Sequence, residues 1–215
     1  MPEKSKNGFS IPVSSCELVK NDIESRRFIL QKLGYDFFDF EFHEAYLILE
    51  ESTVERLITE ILIPTFVPGL RHRLKTIGAL GVGDLEPRFS SYHTLFVYLH
   101  TDPKYHKKAW VIADGDTAGK EVISKLKDKF KSINSEHFLN FERENFEDYF
   151  PKKFDSKVAN IKSLKSGKQK QELKRDVLNE LLDYCNKEKP IDEFEKCFNE
   201  HITFLKGIEE QLDLQ

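Results

Sequence analysis

Four short apolar segments, separated by stretches with helical spacing, constrain the fold of this chain more than any other feature. The segments are AYLILE (45–50), RLKTIGAL (73–80), AWVIA (109–113) and EHFLNF (136–141). Such runs are typical of strands buried on both faces. Between them we predict helices from Ser52 or Thr53 through Leu62, over 90–101 and over 118–130, with Gly81–Gly83 as a flexible turn. This alternation predicts an α/β, Rossmann-like fold: a mainly parallel four-stranded sheet flanked by helices.

The regions on either side of this pattern differ from it. After Pro151 apolar residues recur at helical spacing, which predicts a C-terminal all-α extension. Before the first apolar segment we predict a lead-in with little periodicity, a short helix over 22–33 and an extended segment, FFDFEF (37–42). The chain is therefore expected to divide into an N-terminal lead-in and short helix (1–39), an α/β domain (40–151), and a basic segment with the helical extension (152–215).

Composition excludes several classes of protein. The 215 residues carry a net charge of −4, so the chain as a whole is not a basic nucleic-acid binder. No apolar run reaches the roughly 18 residues of a membrane span, and the first residues do not resemble a secretory leader. Cys16, Cys185 and Cys197 form no CxxC pair, which favours free thiols in a reducing compartment. We therefore expect a cytoplasmic protein without a membrane partner.

Carboxylates follow three of the four predicted strands. Glu50 ends the first, Asp114 and Asp116 follow the third, and Glu147 lies shortly after the fourth. Each acid alone is compatible with a solvated loop or a turn. The carboxyl ends of parallel strands meet at one edge of a sheet, however, where like charges repel unless a cation is present. Oxygen ligands of this kind suit Mg²⁺ or Mn²⁺, so their joint placement predicts a metal site.

The segments ILEEST, VIADGDTAGKEVI and NFEDYFP together resemble a TOPRIM domain, the metal-binding fold shared by topoisomerases, bacterial primases and certain nucleases. The order of motifs over residues 40–151 is most similar to the C-terminal nuclease half of the OLD (overcoming lysogenization defect) family of ATP-dependent endonucleases. The resemblance implies a DNA endonuclease with one or two Mg²⁺ or Mn²⁺ ions. It implies metal ligands at Glu50, Glu55, Asp114, Asp116 and Glu147, and a glycine-containing stretch at Gly81.

Two departures from the family pattern occur beside the first acid. The residue after Glu50 is usually Gly and is Glu51 here, which could bind metal or crowd the site. The second acid is Glu55, one place later than in many relatives, where this chain has Val54.

The resemblance also implies partners. No GxxxxGK[ST] motif is present, so the ATPase that accompanies such nucleases is expected as an ABC-type ATPase subunit or domain outside this sequence. The other expected partners are DNA and a second copy of the chain in a homodimer. The expected setting is anti-phage defence.

Basic residues are concentrated between positions 151 and 175. Nine lysines and arginines stand there against Asp155 and Glu172, a local charge of +7. Such a block can neutralise phosphates or can be a solvated linker. The resemblance implies a catalytic lysine beyond the Glu147 motif, for which Lys168 and Lys170 are the candidates. A smaller basic cluster lies at residues 71–75.

Two other functions remain open. A haloacid-dehalogenase-like phosphatase also has an Asp-x-Asp after a strand, but it needs Thr or Val four residues after the first Asp, where Ala118 stands. A TOPRIM-like module without catalysis, which binds a partner, is compatible with Glu51 in place of Gly. The leading expectation is a nuclease in which Glu50, Asp114, Asp116 and Glu147 are catalytic together with a lysine.

Overall fold

The structure is a computed structural model that describes residues 43–98, 107–165 and 167–214, together with Ser25, Phe28, Ile29 and Lys32. The chain divides into two units, Met1–Phe37 and Phe38–Gln215. The four earlier residues are helical and fall inside the helix predicted at 22–33. The predicted lead-in, the FFDFEF segment and the end of the helix predicted at 90–101 lie outside the described residues.

The second unit contains a four-stranded sheet that is parallel throughout. Its strands are β1 (Ala45–Leu49), β2 (Leu74–Gly78), β3 (Ala109–Ala113) and β4 (Phe138–Asn140). They lie in the order β2-β1-β3-β4, with Leu47 of β1 beside Trp110 of β3 and Ile112 of β3 beside Leu139 of β4. The predicted α/β fold is therefore confirmed, and each strand coincides with a predicted apolar segment.

The helices between the strands begin with α1 (Ser52–Leu57), which continues through a π-helical turn, Ile58–Leu62, into α2 (Ile63–Phe66). They continue with α3 (Val82–Tyr98) and α4 (Thr117–Lys129). The prediction for α3 was wrong at its start, because the helix begins eight residues earlier than residue 90 and includes Gly83 and Pro87. Asp84 in its first turn accepts a hydrogen bond from the backbone N–H of Leu80 at 3.0 Å, which stabilises this early start.

The two faces of the sheet bury different partners because alternate residues of a strand point to opposite sides. On one face Tyr46 packs on Phe96 of α3, with their ring centroids 5.1 Å apart, and Phe89 of the same helix packs on Phe138 at 5.2 Å. On the other face Leu47 and Ile112 belong to one apolar core with α1, α2 and the C-terminal helices. The sheet is thus covered on both sides.

The C-terminal extension is helical, as predicted. It comprises α5 (Asp155–Ser163), α6 (Lys168–Glu188), α7 (Ile191–Cys197) and α8 (Asn199–Asp213). Buried residues of these helices, among them Leu178, Leu181 and Leu205, share one core with Leu57 and Ile61. The extension therefore folds onto the sheet, which brings α6 to the carboxyl edge of β1.

Among the helices in the described part of the chain, none has an apolar stretch long enough to cross a membrane.

Candidate functional site

The strand order creates a crevice at the carboxyl ends of β1 and β3. The chain leaves β1 toward β2 on one side of the sheet and leaves β3 toward β4 on the other, so the connections diverge between these two neighbours. The place where the connections diverge is the topological switch point of the sheet, and ligands of open α/β sheets bind there. Glu50 and Glu51 follow β1 there, and Asp114 follows β3. The backbone N–H of Asp114 donates to Oε2 of Glu50 at 3.0 Å, which joins the two strand ends.

The Asp-Gly-Asp turn after β3 is shaped by close backbone approaches. A Cβ at Gly115 would lie 2.4 Å from the carbonyl oxygen of Phe141, and one at Gly119 would lie 2.2 Å from that of Asp114. Neither position can hold a larger residue without displacing backbone. Asp116 caps α4, because its Oδ1 accepts a hydrogen bond from the backbone N–H of Gly119 at 2.7 Å. These contacts fix the backbone that follows Asp114.

Glu147 reaches the same crevice from beyond β4. It lies in a short 3₁₀ turn, Phe146–Tyr149, and is only 3% exposed, whereas Asp114 is 8% exposed. The turn is tied to β3 because the backbone N–H of Phe146 donates to Oδ2 of Asp114 at 3.3 Å. Behind it the Phe146 ring packs in an aromatic cluster around the buried His201, 5.5 Å away. The structure therefore brings Glu50, Asp114 and Glu147 together, as the strand-end positions predict.

A lysine from α6 completes the cluster. Nζ of Lys174 lies 2.9 and 2.8 Å from the two carboxylate oxygens of Glu51 and 3.1 Å from Oε1 of Glu147. Its side chain is 11% exposed, so these charges interact with little screening by water. Lys174 and Glu51 are 123 residues apart in sequence, and only the packing of α6 on the sheet joins them.

The electrostatics of the site are dominated by burial and by mutual repulsion. Burial, and then the charges of Glu50 and Glu51, raise the pKa of Asp114 to about 8. Burial also raises the pKa values of Glu50 and Glu147, while Lys174 acts in the opposite direction on both. Burial alone would lower the pKa of Lys174, but Glu147 and Glu51 outweigh it and raise that pKa. The four carboxyl groups of Glu50, Glu51, Asp114 and Glu147 thus outnumber the one cation beside them, Lys174.

In the described part of the chain, no side-chain hydrogen bond or ion pair joins the remaining predicted residues to Glu50, Asp114 or Glu147. Glu55, on α1, accepts a hydrogen bond from Oγ1 of Thr76 on β2 at 3.1 Å. Lys168, in the first turn of α6, is 89% exposed and pairs with Glu172 at 3.7 Å. Lys170 is half-buried, one helical turn before Lys174. The lysine in contact with the acids is therefore Lys174, and the roles assigned to Glu55, Lys168 and Lys170 stay predictions.

Sequence reasoning did not assign a role to Lys174, although it counted this residue among the basic ones after Pro151. A usable signal was the helical spacing in the following stretch: Lys174 comes one turn before the buried Leu178, so the two share the face of α6 that packs inward. A lysine on a buried face requires an acid partner. Glu51 and Glu147 are such partners.

The donor chemistry of the crevice fits a hard divalent cation, because the buried and mutually repelling groups are all carboxylates. In the arrangement present here, no group of three His, Cys, Asp or Glu side chains among the described residues is disposed to hold a metal ion. The ammonium group of Lys174 supplies positive charge between Glu51 and Glu147 instead.

Comparisons of the chain with protein-family models, with curated proteins and with solved structures found no match. The resemblance to TOPRIM nucleases therefore rests on the sequence motifs alone.

Proposed function

We propose that this chain is a metal-dependent endonuclease of the TOPRIM type that cleaves DNA phosphodiester bonds with one or two Mg²⁺ or Mn²⁺ ions. The observation that supports it is the group of buried carboxylates, Glu50, Asp114 and Glu147, at the switch point of a parallel sheet, with a lysine beside them. Buried acids with raised pKa values in a crevice are a common mark of a functional site.

Each residue has a proposed part in this chemistry. Glu50, Asp114 and Glu147 would hold the divalent ion, with Asp116 beside them at the start of α4. A divalent ion bound there supplies Lewis acidity toward a phosphate oxygen. The positive charge of Lys174 would offset the negative charge that develops on a non-bridging phosphate oxygen. The hydrogen bond from the N–H of Asp114 keeps the Glu50 carboxylate oriented.

The biological setting follows from the resemblance. The proposed partners are DNA, an ABC-type ATPase subunit or domain, and a second copy of the chain. The proposed context is anti-phage defence in the cytoplasm, because the similar nucleases often act there.

A second candidate is a TOPRIM-like module that binds a partner and has no catalytic activity. One observation favours it: the ammonium group of Lys174 bridges Glu51 and Glu147, a position in which a cation would otherwise relieve the repulsion. If the chain is such an inactive module, Glu51 and Lys174 form a structural ion pair in place of a bound metal ion.

Plasmid cleavage separates the two candidates. Purified protein is incubated with supercoiled plasmid in EDTA, Mg²⁺ or Mn²⁺, and nicked and linear products are quantified. The nuclease proposal expects cleavage that requires the divalent ion and falls by at least about 100-fold in Asp114→Asn, the scale of losing a key catalytic group. The control is Asp84→Asn, which changes an acid on α3. This variant should cleave the plasmid like the wild type. Absence of cleavage under every condition would support the inactive module.

A further inference from the structure

A small cavity adjoins the carboxylate cluster on the side of α6. Its volume is about 160 Å³, and Glu51 and Lys174 form the wall that it shares with the cluster. The rest of the lining consists of Ser52, Thr53, the 79–81 loop, Gln171 and Arg175. The carboxylate cluster does not account for this cavity, and Ser52, Gln171 and Arg175 contribute side-chain hydrogen-bond donors to its lining.

The basic residues after Pro151 differ in whether they are already neutralised. Five of the nine form ion pairs with acids: Lys153, Lys157, Lys162, Lys168 and Lys174. Lys152, Lys165, Lys170 and Arg175 form no ion pair with any residue in the described ranges. Two of these four, Lys170 and Arg175, lie at the start of α6. Two of the four basic residues that remain available to a ligand therefore lie on the helix that lines the cavity.

Helix geometry groups these residues on one side of α6. Lys170 and Lys174 are one turn apart, as are Gln171 and Arg175, so the two pairs form adjacent rows along the helix. Lys174 contacts the acids, and Gln171 and Arg175 line the cavity next to it. A nucleic-acid strand that reaches the carboxylate cluster from the side of α6 would therefore also lie beside Arg175 and Gln171.

The opposite wall is a loop with fixed backbone. The backbone N–H of Gly81 donates to the carbonyl oxygen of Glu50 at 2.9 Å, and that of Leu80 donates to Asp84 at 3.0 Å. Gly81 has φ of +110°, a conformation that favours glycine. Leu80 is 84% exposed at the rim, where it offers an apolar contact to a sugar or a base.

We propose that this cavity binds a backbone phosphate of the substrate DNA strand, next to the phosphate at the carboxylate cluster, through Arg175 and Gln171. The proposal deepens the nuclease function and rests on it for the identity of the strand. A guanidinium group binds phosphate through two parallel hydrogen bonds, and glutamine and serine add neutral donors.

The test compares Arg175→Gln with Arg71→Gln. Arg71 is also exposed, precedes β2 at the opposite edge of the sheet, and has no ion pair with a described residue. Binding of a fluorescent single-stranded oligonucleotide is measured by anisotropy in EDTA at several NaCl concentrations. Arg175→Gln should weaken binding by at least roughly tenfold, which is the effect of losing a single hydrogen bond to a charged group. It should also reduce the slope of log K against log [salt] by about 0.7. Arg71→Gln should change neither.

Equal losses in the two variants, an unchanged salt slope in Arg175→Gln, or no binding by the wild type would overturn the proposal. Melting temperatures of both variants, which should match the wild type because the residues are exposed, verify folding. Plasmid cleavage by the same preparations distinguishes a failure of the phosphate-site proposal from a failure of the nuclease proposal. Cleavage by the wild type with unchanged KM in Arg175→Gln removes the phosphate site alone. Oligonucleotide binding that depends on Arg175, without any cleavage, supports the phosphate site and removes the nuclease function.

Discussion

Acids in two regions of this molecule experience opposite environments. On the surface at the start of α3, Asp84 pairs with Arg88 at 2.6 Å and Glu86 pairs with Lys129. Hydrogen bonds from these partners lower the pKa values of both acids. At the carboxyl edge of the sheet, by contrast, burial and neighbouring acids raise the pKa of Asp114. The surface acids have one cation each, whereas the edge acids share Lys174.

This difference separates a structural arrangement from one that can bind a ligand. One-to-one pairs at a partly exposed surface are complete and contribute little free energy. A buried excess of carboxylates is costly to the folded state unless protons or a cation compensate it. The edge of the sheet therefore retains a capacity to bind positive charge that the surface of α3 lacks.

The largest expected effect comes from removing the shared cation. Lys174→Met leaves Glu51 and Glu147 without their partner, and breaking a buried ion pair in this way costs about 3–5 kcal/mol. For a protein of this size that corresponds to a fall in Tm of roughly 6–20 °C. The measurement is thermal unfolding followed by circular dichroism, at neutral pH in EDTA.

The matched variant is Arg88→Met, which removes the partner of Asp84 on the surface. Its free energy of unfolding should fall by less than about 1 kcal/mol, because this pair is partly exposed. If both variants lose the same stability, the two regions do not differ in the way described.

The pH dependence of stability should have opposite signs in the two regions. Asp114 has its pKa raised to about 8 in the folded protein, so its contribution is present below its unfolded pKa of about 3.9 and is lost as pH rises toward 8. Without divalent ions, Asp114→Asn should therefore gain stability relative to the wild type across this range. The gain is limited to about 1.4 kcal/mol per pH unit.

Asp84→Asn provides the contrast. The pKa of Asp84 is lowered in the folded protein, so its contribution is present above the unfolded pKa and is lost as pH falls through the folded value. Urea unfolding at several pH values measures both differences. A wild type and an Asp114→Asn protein with parallel pH profiles would show that burial and the neighbouring acids do not raise the pKa of Asp114.

A smaller effect is expected at Glu51. Glu51→Gln removes a charge that raises the pKa of Asp114, but it also removes a salt bridge to Lys174. These two contributions oppose each other, so the free energy of unfolding should change by no more than about 1 kcal/mol. A double-mutant cycle with Lys174→Met should nevertheless give a coupling energy of about 0.5–3 kcal/mol. Additive effects would mean that Glu51 does not hold Lys174.

The sequence was sufficient to predict what depends on local pattern and on strand direction. Glu50 and Asp114 each follow a buried apolar strand directly, and the rule that parallel strands end at one edge places them together. Residues whose position depends on tertiary packing were not predicted. Lys174 reaches the acids only because α6 folds across the sheet, and the candidates chosen from the motif order were Lys168 and Lys170.

Local signals also failed at the start of α3. Gly81 and Gly83 are residues that usually interrupt helices, so the sequence predicted a flexible turn at Gly81–Gly83. The helix nevertheless begins at Val82. Tertiary packing explains this result, because Leu85 and Phe89 are buried by the early turns and their burial outweighs unfavourable propensity.

Divalent-ion binding tests the central claim most directly. Melting temperatures are measured with increasing Mn²⁺ or Mg²⁺ for the wild type, for Asp114→Ala with Asp116→Ala, and for Asp84→Asn. A ligand of the native state stabilises it by about 2.7 kcal/mol at 100 times its Kd, so the melting temperatures of the wild type and Asp84→Asn should rise by roughly 5–10 °C. The double variant should not respond. Equal rises in all three proteins, or no rise in the wild type, would contradict the claim that the carboxyl edge of the sheet is a divalent-ion site.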